Sequence, residues 1–210
     1  MTCICPTTIA RHAWIPQVLR IFESQTYPYK ELLFIADGEW IEELCDRPNV
    51  RFVIAAGKIG DKRNVGVRFA DGEIICHLDD DDFSSPMRIA DQVARLEKTG
   101  KQVTGYHNML FTDGVKWWKY HGIGAFAFGT SMCYRRQWAL DHPFDSKQIG
   151  EDGIFGTLAA QARQLDSIDA GETMIATIHP GNTSRRDIRP GSCWLEAEPP
   201  AMNCDMLFPM

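Results

Sequence analysis

The sequence has no CxxC pair, no long apolar run, no internal repeat and no excess of positive charge. Each absence narrows the possibilities. Without a CxxC pair a zinc site is not expected, and the scattered, odd-numbered set of 7 cysteines reads as reduced thiols in a cytoplasmic protein. The longest stretch free of charged and histidine side chains, Gly122 to Tyr134, is far short of the roughly 20 residues that span a bilayer. The opening Met1-Thr2-Cys3-Ile4-Cys5-Pro6 lacks a charged segment followed by an apolar one, so no secretory leader is expected. With 22 Lys and Arg against 28 Asp and Glu, the formal charge is -6, which does not favour nucleic acid or an anionic membrane as a default partner.

What is present reads as a globular α/β chain. Hydrophobic residues make up 44% and charged residues 24% of 210 residues, enough to bury a core without disulfides or a structural metal. Cys3-Ile4-Cys5, Glu31 to Ala36, Arg51 to Ala55 and Glu73 to Leu78 predict four strands, with Pro6-Thr7-Thr8 as a turn after the first. Ile15, Leu19 and Phe22 fall on one helical face. A helix is predicted from near Asp61 to Ala70, with Val65 and Phe69 inward. Another has Ser85 as N-cap, Pro86 as its first residue, Ile89, Val93 and Leu96 inward, and Gly100 as its stop. Strands joined by helical crossovers predict a parallel sheet, whose ligands bind beyond the carboxyl ends of the strands. Asp37, Asp61 and Asp79-Asp80-Asp81-Asp82 all fall at such ends.

The second half is less regular. Val103 to Thr112 and Val115 to His121 predict strands around the turn Asp113-Gly114, with short strands at Phe126-Ala127-Phe128, Met132-Cys133-Tyr134 and Thr173 to Ile178, and a helix over Asp152 to Ala162. One domain is expected over residues 1–198, with 199–210 as a C-terminal tail.

The aspartate run carries the strongest chemical signal. Two carboxylates ~5 Å apart repel by roughly 3 kcal/mol at an effective dielectric of ~20. A solvated loop tolerates this, but here the run is pinned between an apolar strand and a helix. A hard divalent cation would relieve the repulsion. Asp61-Lys62-Arg63-Asn64 opens a helix with two cations where an acid is the usual choice, which points to phosphate. Glu151-Asp152 precedes another helix, as an ordinary cap or as catalytic carboxylates. His179 follows a strand, as a structural group or a ligand. Arg185, Arg186 and Arg189 form either a solvated face or an anion-binding one. Trp117, Trp118 and Tyr120 either pack in the sheet or stack on a sugar or base.

Taken in order, these segments resemble the family-two, GT-A-fold glycosyltransferases over roughly the first 185 residues. Cys5-Pro6-Thr7-Thr8 is similar to the family's opening strand and nucleotide-contacting loop. Leu33-Phe34-Ile35-Ala36-Asp37-Gly38 is similar to its second strand; the family often has two aspartates there, and Asp37 is the one carried over. Gly60-Asp61-Lys62-Arg63-Asn64-Val65-Gly66 and Ala70-Asp71-Gly72-Glu73-Ile74-Ile75 resemble the approach to its DxD element, which Leu78-Asp79-Asp80-Asp81-Asp82-Phe83 then matches. Phe128 to Arg136 resembles the acceptor-side segment, Gly150-Glu151-Asp152 the ED motif, and His179 with Asn182-Thr183-Ser184 the closing segment.

The resemblance implies a Rossmann-like, mostly parallel sheet flanked by helices, with a smaller mixed sheet on the acceptor side. It implies inverting transfer from a nucleotide sugar, a UDP-sugar above all. Donor contacts would come from Pro6, Thr7, Thr8, Asp37, Lys62, Arg63, Asn64, Asp79 and Asp80. Asp79, Asp81 and His179 would hold Mn²⁺ or Mg²⁺. Asp152 would be the base, beside Glu151. Gly129, Thr130, Trp118, Arg185 and Arg186 would face the acceptor or phosphate. The acceptor would be a cell-surface glycan precursor or a hydroxymethylated DNA base. Nucleotidyl transfer and a non-catalytic sugar-nucleotide module stand as alternatives.

Overall fold

A computed structural model describes residues 1–38, 47–122, 124–184, 188–189 and 192–201. The first half alternates strand and helix: β1 (Thr2–Thr8), α1 (Ile15–Ser24), β2 (Glu31–Asp37), β3 (Val50–Ile54), α2 (Ile59–Phe69), β4 (Ile74–His77), β5 (Phe83–Ser84) and α3 (Arg88–Thr99). The second half contributes β6 (Val103–Thr112), β7 (Trp117–His121), β8 (Cys133–Arg135), α4 (Arg136–Asp141), α5 (Glu151–Gln161), β9 (Leu165–Asp169), β10 (Met174–Thr177) and β11 (Trp194–Glu196).

The strands form one sheet in the order β11-β7-β6-β8-β4-β1-β2-β3, with β9 and β10 also on β6 and β5 on β10. The β4-β1-β2-β3 half is parallel throughout. The remainder is mixed and continuous with it rather than a separate sheet, because β8 runs antiparallel to both β4 and β6.

Alternation along β1 sets the two layers. Cys3 and Cys5 face α1 and α3, packing with Val18, Phe22, Ile89, Val93 and Leu96. Ile4 faces the other way, into a cluster with Val67 of α2 and Phe155 and Ala159 of α5. Each fully buried side chain of this kind contributes about 1.5–3 kcal/mol. Gly100 closes α3 at φ 67, a left-handed conformation that suits glycine.

Several local expectations shift. Pro6-Thr7-Thr8 is not a turn: β1 continues through it, because Thr8 pairs with Asp37 of β2. α3 begins at Arg88 rather than Pro86, since Phe83–Ser84 is drawn into pairing with β10. Phe126-Ala127-Phe128 is not a strand; it leads into a 3-10 turn over Gly129–Ser131, and its two phenylalanines pack edge to face, 5.0 Å between centroids. The inward face of α2 is also different. Phe69 is 54% exposed, while Lys62, Arg63, Gly66 and Val67 are buried. Gly66 permits this, since a β-carbon there would stand 3.0 Å from both Ile4 and Ile35. The helix therefore sits close on the sheet and sends two cations towards the strand ends. The expected tail beyond residue 201 lies outside the described residues.

Candidate active site

The carboxyl ends of β1, β2 and β4 open into a cavity of about 410 Å³. Its walls bring together Pro6, Thr7, Thr8, Arg11, Asp37, Lys62, Arg63, the four aspartates 79–82, Gly129, Thr130, Glu151, Asp152 and the Asn182–Ser184 loop. Those segments are distant in sequence and meet because the parallel strands all end on one side.

Lys62 and Arg63 lie in the second turn of α2, not at its start. Its first amides are already bonded: Lys58 N–H to Asp61 Oδ2, Ile59 N–H to Gln148 Oε1 and Gly60 N–H to the Lys147 carbonyl. The side chains of the two cations, rather than a free helix terminus, are what α2 offers an anion. Lys62 Nζ donates to the Thr7 carbonyl at 2.6 Å and stands 3.5 Å from Asp37. Arg63 pairs with Glu151 at 3.3 Å and approaches Asp79 at 3.5 Å. Its Nη1 also lies 2.7 Å from His77 Nδ1. Burial, reinforced by the Arg63 charge, pushes the His77 imidazole well below its ordinary value, so it is neutral. Asn64 is not among the residues lining the cavity. Its amide exchanges two hydrogen bonds with the Phe144 backbone and anchors that loop.

The four aspartates are not equivalent. Asp80 accepts from Thr7 Oγ1 at 2.6 Å and from Arg11 through both oxygens. Asp82 accepts from the Thr130 hydroxyl and the Thr177 amide. Burial raises both carboxyls, and neighbouring aspartate charge adds to it. Asp81 goes the other way: hydrogen bonding from His179 and the charge of Arg11 outweigh burial and lower it. Its Oδ2 receives Arg11 Nη2 at 2.6 Å, His179 Nε2 at 3.0 Å and Asn182 Nδ2 at 3.1 Å. Asp79 Oδ1 is a buried oxygen with no hydrogen-bond partner.

Arg11 escaped the sequence reading because nothing in its local pattern marks it. It lies in the short 3-10 helix Ile9–Trp14 after β1 and acts across 69 residues. Burial works against its charge, but the hydrogen bonds and charges of Asp80 and Asp81 prevail and hold it protonated more firmly than usual.

Asp152 lines the cavity from the first turn of α5, where Gly150 at φ 85 turns the chain into the helix. Glu151 beside it is 3% exposed; burial raises its carboxyl against the lowering effect of Arg63. Gly129 and Thr130 face Asp152 and Asp82 respectively.

Trp118 does not line this cavity. It is half-buried on β7, between Phe111 of β6 and Glu196 of β11, because the hairpin carries it into the sheet. Arg185 and Arg186 lie outside the described residues. Phe111, Phe126 and Phe128 supply the apolar wall instead.

A divalent cation fits the donor types here. Seven carboxylates and three cations line the cavity, an excess of negative charge that would repel a diphosphate. Asp79 supplies a buried carboxylate oxygen that accepts no hydrogen bond, 3.5 Å from Arg63. Among the described residues no three His, Cys, Asp or Glu side chains form a ready-made cage. That suits an ion held by one or two carboxylates plus substrate phosphates.

Residues 3–160 match the family model described as glycosyl transferase family 2. The chain belongs to that family. This membership agrees with the GT-A layering of the sheet. The fold is shared with S. aureus TarS 1-349 in complex with UDP, at TM-score 0.69 and 18% identity over 85% of this chain and 60% of that one. The same TarS fragment in complex with UDP-GlcNAc gives 0.67 and 17%, over 90% and 62%. The mannosyltransferase PcManGT from Pyrobaculum calidifontis, in complex with GDP-Man and Mn²⁺, gives 0.63 and 15%, over 84% and 56%. The family-two chain described here thus spans about 60% of the TarS fragment. No curated protein sequence matches it significantly. Among its described residues no helix is long and apolar enough to cross a membrane.

Proposed function

We propose that this family-two glycosyltransferase moves a sugar from a nucleoside-diphosphate donor to an acceptor hydroxyl with inversion, assisted by a divalent metal. The observation that carries this is the convergence of Lys62, Arg63, Asp79, Asp81 and Asp152 on one cavity. Thr7, Thr8 and Asp37 would receive the nucleoside; TarS, whose structures hold UDP and UDP-GlcNAc, supports a UDP-sugar, while PcManGT holds GDP-Man. Lys62 and Arg63 would face the diphosphate and stabilise the charge it gains as it leaves. Asp79 and Asp81 would hold Mn²⁺ or Mg²⁺, which when bound neutralises part of that charge. His179 would support Asp81 rather than ligate, since its Nδ1 accepts the Gly181 amide and its Nε2–H faces Asp81.

Asp152, which lines the same cavity from the first turn of α5, would accept the proton of the acceptor hydroxyl as that oxygen attacks the anomeric carbon. Attack opposite the leaving diphosphate inverts the centre. The acidic cavity wall favours a glycan acceptor over a polyanionic DNA base. The reduced thiols Cys3, Cys5, Cys76, Cys133 and Cys193 suit a cytoplasmic setting.

The test is thermal unfolding with Mn²⁺ and a panel of nucleotide sugars. One donor is expected to stabilise the protein by RT ln(1 + [L]/Kd) only when metal is present. Asp81→Asn is expected to lose that metal dependence. Absence of stabilisation by every donor, or unchanged metal dependence in Asp81→Asn, would overturn the reading.

A further inference from the structure

We propose that Arg11 is a resident counter-cation of the donor site: it occupies the Asp80–Asp81 carboxylate pair in the donor-free protein and competes there with the divalent cation. This rests on reading the cavity as a metal-assisted donor site.

The geometry is specific. Arg11 Nη2 lies 2.6 Å from Asp80 Oδ1 and 2.6 Å from Asp81 Oδ2, so one nitrogen bridges two carboxylates. Arg11 Nε holds the other Asp80 oxygen at 2.8 Å, and Nη1 donates to the Gly181 carbonyl at 2.8 Å. The guanidinium fork uses its donors in fixed directions, which a flexible ammonium would not reproduce. The repulsion built into four consecutive aspartates is therefore already relieved in part by the protein itself.

The donors around Asp81 Oδ2 complete the argument. Arg11, His179 and Asn182 all converge on this oxygen. An ion arriving at Asp81 meets a cation already paired with it, and like charges at that separation oppose each other. Arg11 reaches the cavity wall from one side. Its side chain is 19% exposed at the cavity wall and lies over the face of Trp14, 5.9 Å from the ring centroid.

A donor diphosphate changes the balance by offering the guanidinium a new anionic partner. Metal and donor binding are then coupled. Metal alone must displace Arg11, whereas the donor releases it. By linkage the coupling is reciprocal, and couplings of this kind are worth about 5–150-fold in affinity.

The experiment is a titration of Mn²⁺, with free ion counted by electron paramagnetic resonance, with and without UDP. It compares the full chain with Arg11→Met and Arg11→Gln. The Gln amide can still donate to Asp80, so that variant keeps this buried carboxylate hydrogen-bonded if the Met variant does not fold. The unsubstituted protein is expected to bind Mn²⁺ weakly alone and about tenfold or more tightly with UDP. The variants are expected to bind Mn²⁺ about tenfold more tightly without UDP, and to gain less from adding it. Mn²⁺ affinity in the folded variants that is unchanged or lower without UDP overturns the role of Arg11 alone, provided the unsubstituted protein binds Mn²⁺ with UDP. If the unsubstituted protein binds no Mn²⁺ even with UDP, the metal-assisted reading fails and this inference fails with it.

Discussion

A β-carbon placed on Gly129 would stand 2.0 Å from Asp152 Oδ2 and 2.5 Å from Asp152 Cβ. The 3-10 turn and the first turn of α5 are packed so closely that only glycine fits between them. Gly129→Ala should therefore displace Asp152 while leaving the strands intact. We expect kcat to fall about 10²-fold, the usual cost of misplacing a reacting group by about 1 Å. Donor affinity should change little. Steady-state kinetics with calorimetric donor binding checks both, and an unchanged kcat would show that Asp152 does not act from this position.

Asp152→Asn keeps the shape and removes the proposed base. Transfer should drop by about 10²–10⁴-fold, the range general-base catalysis supplies. Donor and metal binding should remain. A variant retaining the full transfer rate would falsify the assignment.

Arg63 and Glu151 are 2% and 3% exposed and are paired at 3.3 Å. Arg63→Met leaves Glu151 buried beside Asp152 without its cation. The expected loss is about 3–5 kcal/mol of stability, as for other broken buried pairs. Adding Glu151→Gln should recover much of it. Urea unfolding of the two variants tests this, and equal stability of the single and double variants would rule against the pairing energy.

His77 sets a pH dependence. Burial and Arg63 hold its folded-state value well below 6.5, so the unfolded chain binds the extra proton first as pH falls. The contribution of neutral His77 is thus complete above about pH 6.5 and is lost as pH drops towards the depressed folded-state value. Its slope is at most about 1.4 kcal/mol per pH unit. Comparing unfolding free energies of the unsubstituted protein and His77→Gln between about pH 7.5 and 5, a window that brackets the ordinary imidazole value, should show a shallower slope in the variant. Parallel slopes would contradict the assignment.

The local signals that worked were those in which a residue's near neighbours decide its fate. Ile89, Val93 and Leu96 were legible as the inner face of α3, and Gly100 as its stop, because helical period and a left-handed cap are encoded within one or two turns. The acidic strand ends were legible for a similar reason, since a parallel sheet puts the ends of β1, β2 and β4 on one side. The same local logic turns Phe69 the wrong way and gives no sign that Asn64 anchors the Phe144 loop. Phe69 is apolar yet exposed, because Gly66 lets α2 lie close to Ile4 and Ile35 and turns its cations inward. Asn64 is polar and near the cations, yet it is committed to Phe144, 80 positions away in sequence.

By itself, then, the sequence determined the α/β alternation, the family and the acidic and basic segments that form the cavity. These depend on residue type, short-range periodicity and order along the chain. Only the tertiary structure decided what each charge faces. Arg11 meets Asp80 and Asp81, Arg63 meets Glu151, and His179 meets Asp81. Strand order and helix depth set these pairings, and in a low-dielectric cavity a few ångströms separate a counter-ion from a repulsive neighbour.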